Sequence, residues 1–136
     1  TQAQILDLLR QLQAQEGMAI ILITHNLGVV AEMCDAVSVM YLGRVVEQGP
    51  VEAIFHHAQH PYTRALLRSI PSIHSIARSE LPTITGSIPH PYNRPAGCPF
   101  HPRCPDRMAG RCDVAEPALR TIGDGQAVSC FLYERT

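Results

Sequence analysis

The pattern of apolar and polar positions along the first 58 residues predicts regular elements. Ile5, Leu8, Leu9 and Leu12 recur at i, i+3, i+4 and i+7, one stripe of an amphipathic helix over about residues 2–16. Thr1 and Gln4 have capping-box spacing, and Gly17 offers the left-handed residue that ends many helices. Met18 to Ile23 reads MAIILI, a continuous apolar run. Strands buried on both faces of a parallel sheet read this way, so a buried strand is predicted. Asn26 is placed to cap a second helix with apolar positions at Leu27, Val30, Ala31 and Cys34. On that stripe Cys34 reads as a core residue. Ala36 to Leu42 predicts a second strand, Gly43-Arg44 a turn, and Val45 to Gln48 a short returning strand. Helix, buried strand, helix, strand is the alternation of an α/β domain.

The pattern then breaks. Residues 1–58 contain Pro50 as their only proline, whereas residues 59–136 hold the other ten, with four of the five cysteines. Two domains are therefore expected, 1–58 and 59–136. Pro50 suits a first helical position and predicts a short helix to about Ala58; Pro61 opens another, Tyr62 to Ser69. Arg64 and Arg68 fall on one face of it and read as a solvated cationic face. From Ser72 to Pro95 proline, serine and histidine predominate without periodicity, which reads as an arm lying on a surface.

Composition removes several functions. All 11 basic residues are arginine, so a complete phosphate-binding loop, whose lysine grips the β- and γ-phosphates, is absent from the 136 residues. Lysine Schiff-base chemistry goes with it. A formal net charge of −1 and 5% aromatic residues argue against nucleic acid as a partner. No stretch approaches the roughly 20 apolar residues of a membrane span. No N-terminal stretch has the order of a signal peptide.

Two sets of residues carry candidate chemistry. His25 follows the apolar run at the place where open α/β sheets bind ligands, and an imidazole there can hydrogen-bond a phosphate oxygen. From position alone the simpler reading is a strand-end or helix-capping residue. Cys98, Cys104, Cys112 and Cys130 form a C-x5-C-x7-C-x17-C pattern beside Pro99, Pro105 and Gly110. Disulfides need an oxidising compartment, and nothing in the sequence points to export. Buried structural thiols usually sit on periodic apolar faces, and these do not. A four-thiolate metal site remains. The gaps are wider than the C-x2–4-C pairs of zinc sites, whereas iron–sulfur clusters accept uneven spacing with proline beside a ligand. Spacing leaves cluster, zinc and no metal all open. His101, lying between two of the cysteines, reads as a neighbour of such a site rather than a ligand.

Two stretches resemble known proteins. Ile20 to Leu27 (IILITHNL), Cys34-Asp35 and Tyr41 to Gly49 (YLGRVVEQG) look like the end of an ABC-transporter ATPase domain. The resemblance implies that His25 is the switch histidine of the H-loop, contacting the γ-phosphate of ATP and helping to position the attacking water. Asp35 and the G-R-x-x-E-x-G turn would be structural hallmarks. The family's Walker A, Q-loop, signature and Walker B motifs and catalytic glutamate lie N-terminal to the matching stretch. This chain then reads as the C-terminal part of a longer protein, inactive on ATP by itself.

The second stretch comprises His60-Pro61-Tyr62-Thr63-Arg64-Ala65-Leu66-Leu67, Ile70-Pro71, Leu81-Pro82, Ile84-Thr85-Gly86 and Gly97 to Pro105 (GCPFHPRCP). It resembles the C-terminal extension of oligopeptide/dipeptide ABC-transporter ATPases, which is marked by its H-P-Y triplet. The triplet itself reads as structural, with histidine ending one helix, proline starting the next and tyrosine packing. The resemblance implies a [4Fe–4S] cluster on Cys98, Cys104, Cys112 and Cys130, with zinc as the alternative. The expected fold is α/β: the C-terminal part of a P-loop ABC ATPase domain followed by a loop-rich, proline- and cysteine-rich metal-binding extension.

The family's members use ATP with magnesium. They act as pairs of ATPase subunits beneath two transmembrane permeases, importing short peptides or nickel delivered by an external binding protein. That implies a peripheral position at the cytoplasmic face of the inner membrane. A competing expectation is a non-enzymatic interaction module stapled by its cluster or by zinc.

Overall fold

Helix α1 spans Gln2–Glu16, as the apolar stripe predicts. Gln4 accepts a hydrogen bond from the Thr1 amino group, and Gly17 closes the helix in the left-handed region at φ 63°. The computed structural model describes residues 1–71 and 83–134. They divide into two compact units, Thr1–Asp35 and Ala36–Thr136.

In the first unit, helix α2 covers Leu27–Met33, and the Asn26 side chain accepts from the Gly28 and Val29 amides as expected of its cap. Val29 and Val30 are buried. Arg10 of α1 reaches Glu32 of α2, donating to its carboxylate at 2.9 Å and to its carbonyl oxygen at 3.1 Å. Two expectations fail here. Met18 to Ile23 forms neither strand nor helix, and Ile21 and Ile23 are 91% and 96% exposed. The run has the composition of a doubly covered strand, yet no described strand pairs with it. Ile5 and Leu8 of the α1 stripe are exposed for the same want of a covering layer. Cys34 is the half-buried residue after α2 rather than a core residue.

The second unit is built on a four-stranded sheet in the order β1-β2-β4-β3, antiparallel throughout. Strands β1 (Ala36–Tyr41) and β2 (Arg44–Pro50) form the predicted hairpin. Its turn is Leu42-Gly43, one residue earlier than expected, with both residues at positive φ (45° and 76°). This mirror-image turn suits the right-handed twist of a hairpin. Strands β3 (Arg120–Gly123) and β4 (Gln126–Val128) come from the second half of the chain. Glu47 pairs with Val128 and Gln48 with Ala127, so residues on either side of position 58 share one sheet.

After β2 come helices α3 (Val51–His56) and α4 (Pro61–Arg68). Pro50 is the residue before α3 rather than its first, and Pro61 is the first residue of α4. Arg64 is not a free surface cation: it donates to Asp106 at 3.2 Å and is half-buried. Residues 83–134 hold three one-turn 3-10 helices, Pro91–Asn93, His101–Arg103 and Phe131–Tyr133, joined by turns. Of the expected arm at 72–95, residues 72–82, including His74, Leu81 and Pro82, lie outside the described residues. Arg103 holds the part that follows, donating to the Ile84 and Thr85 carbonyl oxygens and to the Tyr41 hydroxyl.

The core of this unit is small and aromatic. Phe100, 1% exposed, sits 5.3 Å from Tyr41 and 5.4 Å from Tyr62, ring centre to ring centre, with His60 at 5.9 Å. Tilted and edge-to-face rings at such distances stabilise by about 0.5–1.5 kcal/mol per pair beyond area burial. Val46, Cys98, Cys112 and Phe131 complete the cluster.

Candidate functional site

The four predicted cysteines come together through loops, the first of which starts from Gly97. Gly97 has φ 71°, and a Cβ there would run into the Cys112 carbonyl oxygen. Only glycine lets the chain pass this close, and the Cys98 amide then donates to that same oxygen at 2.8 Å. The turn after Cys98 brings round Phe100 and the 3-10 helix His101–Arg103, which ends at Cys104. Cys130 follows β4 and precedes the 3-10 helix Phe131–Tyr133.

All four cysteines line one pocket, together with His60, Pro61, Phe100, Met108 and Phe131. All are free thiols; Cys98 and Cys112 are buried, Cys104 and Cys130 half-buried. Burial pushes the thiols of Cys104 and Cys130 up to about 11 and raises Cys98 as well, with the neighbouring cysteines adding to the rise. A backbone amide opposes this at each sulfur. Phe100 and His101 serve Cys98, Asp106 serves Cys104 and Leu132 serves Cys130. The Met108 amide donates to Cys112 Sγ at 3.4 Å.

That donor set matches a thiolate-ligated group. Amides aimed at sulfur favour the ionised form, and hydrogen bonds to ligand sulfur are a regular part of iron–sulfur sites. The residues fit the implied cofactor in the chemistry of their donors. Their present spacing does not complete a ligand set: among the described residues, no group of three or more His, Cys, Asp or Glu is placed to hold a metal ion. His101 stays a neighbour, its Nδ1 lying 2.9 Å from the Cys98 carbonyl oxygen.

Beside the pocket lies a polar latch that the sequence did not disclose. Glu47 of β2 is 0% exposed and forms no ion pair among the described residues. Its Oε1 accepts from the Gln59 amide at 2.7 Å and from Gln126 Nε2 at 2.8 Å. Its Oε2 accepts from the His60 amide at 2.9 Å. One carboxylate thus joins β2, the start of α4 and β4. His60, 1% exposed, caps α4 by accepting the Tyr62 amide at Nδ1, 3.1 Å away. Burial, with Arg64 adding to it, lowers the His60 pKa to about 4, so the ring is neutral at neutral pH. The H-P-Y triplet is therefore a helix start: His60 the cap, Pro61 the first residue, Tyr62 a member of the aromatic cluster.

His25 lies in the other unit. It occupies the exposed bend between the MAIILI run and α2, where the Asn26 amide donates to Thr24 Oγ1 at 3.0 Å. Its side chain makes no hydrogen bond among the described residues, so the helix-capping role belongs to Asn26 and not to His25.

Comparison with known proteins finds relatives among transport ATP-binding proteins. The family model of the oligopeptide/dipeptide transporter C-terminal region matches residues 46–112. The dipeptide transport ATP-binding protein DppD of Escherichia coli is 47% identical over 129 residues, covering 95% of this chain and 39% of that protein. The oligopeptide transport ATP-binding protein AppD of Bacillus subtilis is 48% identical over 133 residues, covering 98% and 40%. A putative peptide import ATP-binding protein of Brucella ovis is 43% identical over 138 residues, again covering 98% and 40%. The chain thus spans about two-fifths of the length of these relatives. Over residues 46–112, just under half of its length, it is similar to the oligopeptide/dipeptide transporter C-terminal region.

Proposed function

We propose that this chain is the C-terminal part of the ATP-binding subunit of a peptide ABC importer. The observation that carries the reading is the 47% identity to a dipeptide transport ATP-binding protein over 129 residues, 95% of this chain. Residues 1–58 would be the H-loop end of the nucleotide-binding domain, and residues 59–136 the extension. The intact subunit would bind ATP with magnesium and work in a pair beneath two permeases, with peptides, or nickel, arriving on an external binding protein. Its position would be peripheral, on the cytoplasmic face of the inner membrane. No helix among the described residues is long and apolar enough to cross a membrane. His25, exposed and without a hydrogen bond among the described residues, is available for the γ-phosphate. Phosphoryl transfer depends on positioning and electrostatics, which is what one fixed imidazole donor supplies. Deleting the gene that encodes this segment is expected to abolish ATP-driven dipeptide uptake by the cell, and the intact gene to restore it. Unchanged uptake would contradict the reading.

We also propose Cys98, Cys104, Cys112 and Cys130 as ligands of a [4Fe–4S] cluster. Support comes from the four free thiols around one pocket and the Met108 amide that donates to Cys112 Sγ. When bound, the cluster would add cross-links to an extension whose own core is small. Anaerobically prepared protein is expected to be brown, with about four iron and four sulfide per chain. Cys104→Ser should lower both contents several-fold. Stoichiometric zinc without sulfide would replace the cluster with the alternative ion, and neither metal would remove the site.

A further inference from the structure

We infer that Thr24 and Asn26 are positioning residues for His25, the two hydrogen-bonding side chains that hold its backbone in one bend. The role rests on the γ-phosphate reading of His25 proposed above and deepens it.

His25 stands between two short polar side chains, and both of them accept hydrogen bonds from backbone further along the chain. Thr24 Oγ1 accepts from the Asn26 amide at 3.0 Å, which closes a turn across His25. A hydroxyl turn is weak by itself. Asn26 supplies the support. Its Oδ1 accepts from the Gly28 amide at 3.0 Å and the Val29 amide at 3.3 Å, so the residue after His25 is tied to the first turn of α2. Helix α2 is anchored in turn by the buried Val29 and Val30. At its far end Arg10 donates to the Glu32 carbonyl oxygen and carboxylate. Gly28 completes the arrangement: a Cβ there would stand 3.2 Å from Asn26 Oδ1, tighter than an ordinary contact, and would press on the cap. Within the bend, the Thr24 and Asn26 side chains are thus engaged with backbone. The His25 side chain is exposed and makes no hydrogen bond among the described residues.

Such a bend suits a residue whose contribution depends on placement. One imidazole donor to a phosphoryl group acts through its position, and misplacement costs turnover. The turn and the cap restrict the backbone on both sides of His25, leaving its own side-chain torsions to be set. Removing the Thr24 hydroxyl should therefore reduce the share of subunits with His25 in place without removing the donor. Thr24 and Asn26 are both exposed, so their substitution takes away no core packing.

Steady-state hydrolysis of ATP with magnesium by the intact transporter tests the role. Thr24→Val keeps the shape of the side chain without its hydroxyl. It is expected to lower kcat about fivefold with KM for ATP unchanged, the effect of one modest hydrogen bond. Thr24→Ser and Asn26→Ser should stay near wild type, since serine retains the hydroxyl at 24 and caps a helix about as well as asparagine at 26. The deciding variant is Thr24→Val in a His25→Ala background. A residue that acts through His25 then has nothing left to position, so the second substitution should add no further loss. Wild-type turnover in Thr24→Val, or the same loss with and without the imidazole, would overturn the inference while leaving the His25 reading in place. Undiminished turnover in His25→Ala alone would overturn both. Should Thr24→Val fail to fold, Thr24→Ala, which also lacks the hydroxyl, serves the same comparison.

Discussion

Replacing Glu47 by alanine is expected to lower the stability of the second unit by about 3 kcal/mol, since each buried donor left without an acceptor costs roughly 1–3 kcal/mol. Three donors lose their acceptor at once: the Gln59 amide, the His60 amide and Gln126 Nε2. Water has little access to them, because Glu47 is fully buried and Gln126 nearly so. For a unit of this size the melting temperature should fall by more than about 10 °C. Glu47→Gln is a sharper probe. The Gln126 and Gln59 bonds both use Oε1, so an amide oxygen there keeps them, while the amide nitrogen meets the His60 N–H in place of an acceptor. Its loss should be about half that of alanine. Thermal unfolding of both variants beside wild type measures this. A Glu47→Ala melting point within a degree or two of wild type would show that the latch does not hold the extension to β2.

The latch also explains a conjunction in the sequence. The glutamate of the G-R-x-x-E-x-G turn and the H-P-Y triplet are 13 residues apart at Glu47 and His60, and each alone reads as a local hallmark. Joined, they are the two sides of one contact, a strand carboxylate and the amides that open α4. Phe100 extends the contact to the cysteine loops, so the pocket and the hairpin β1–β2 share one packed path.

Local physics was what the sequence displayed well. The α1 stripe with its Gly17 stop, the Asn26 cap and the Pro61 helix start each depend on neighbours within a few positions, and each is found where the pattern puts it. The MAIILI run failed for the opposite reason. Its pattern reports what the residues need, two covered faces, and the described chain does not supply the strands to cover them. Strands β3 and β4 escaped notice because they are four and three residues long. The signal was nonetheless present: Asp124-Gly125, both at positive φ, is a hairpin dipeptide. The hairpin turn was misplaced by one residue because leucine, Leu42, takes a left-handed position that asparagine or glycine usually fills. At the site, spacing singled out the four cysteines but said nothing of His60 or of the amides that reach their sulfurs. Glu47 gave no sign of burial either, since a strand glutamate reads as solvent-facing until its partners, 12 to 79 residues away, are known.

The largest effect on function is expected at His25. On the proposed reading, His25→Ala in the intact subunit would remove a donor to charge developing on the γ-phosphate, and losing one such positioned donor costs about 10²–10³ in turnover. The residue is exposed and outside both helices of its unit, so the change should leave melting unaltered. ATP binding should persist, because the phosphate-gripping loop lies elsewhere. The most direct measurement is peptide-stimulated ATP hydrolysis by the intact subunit, reconstituted in vesicles with its permeases and peptide-loaded binding protein. Wild type is predicted to hydrolyse ATP faster when loaded binding protein is added, and His25→Ala to fall at least about 100-fold with its ATP affinity kept. Hydrolysis indifferent to peptide, or undiminished in His25→Ala, would contradict the account.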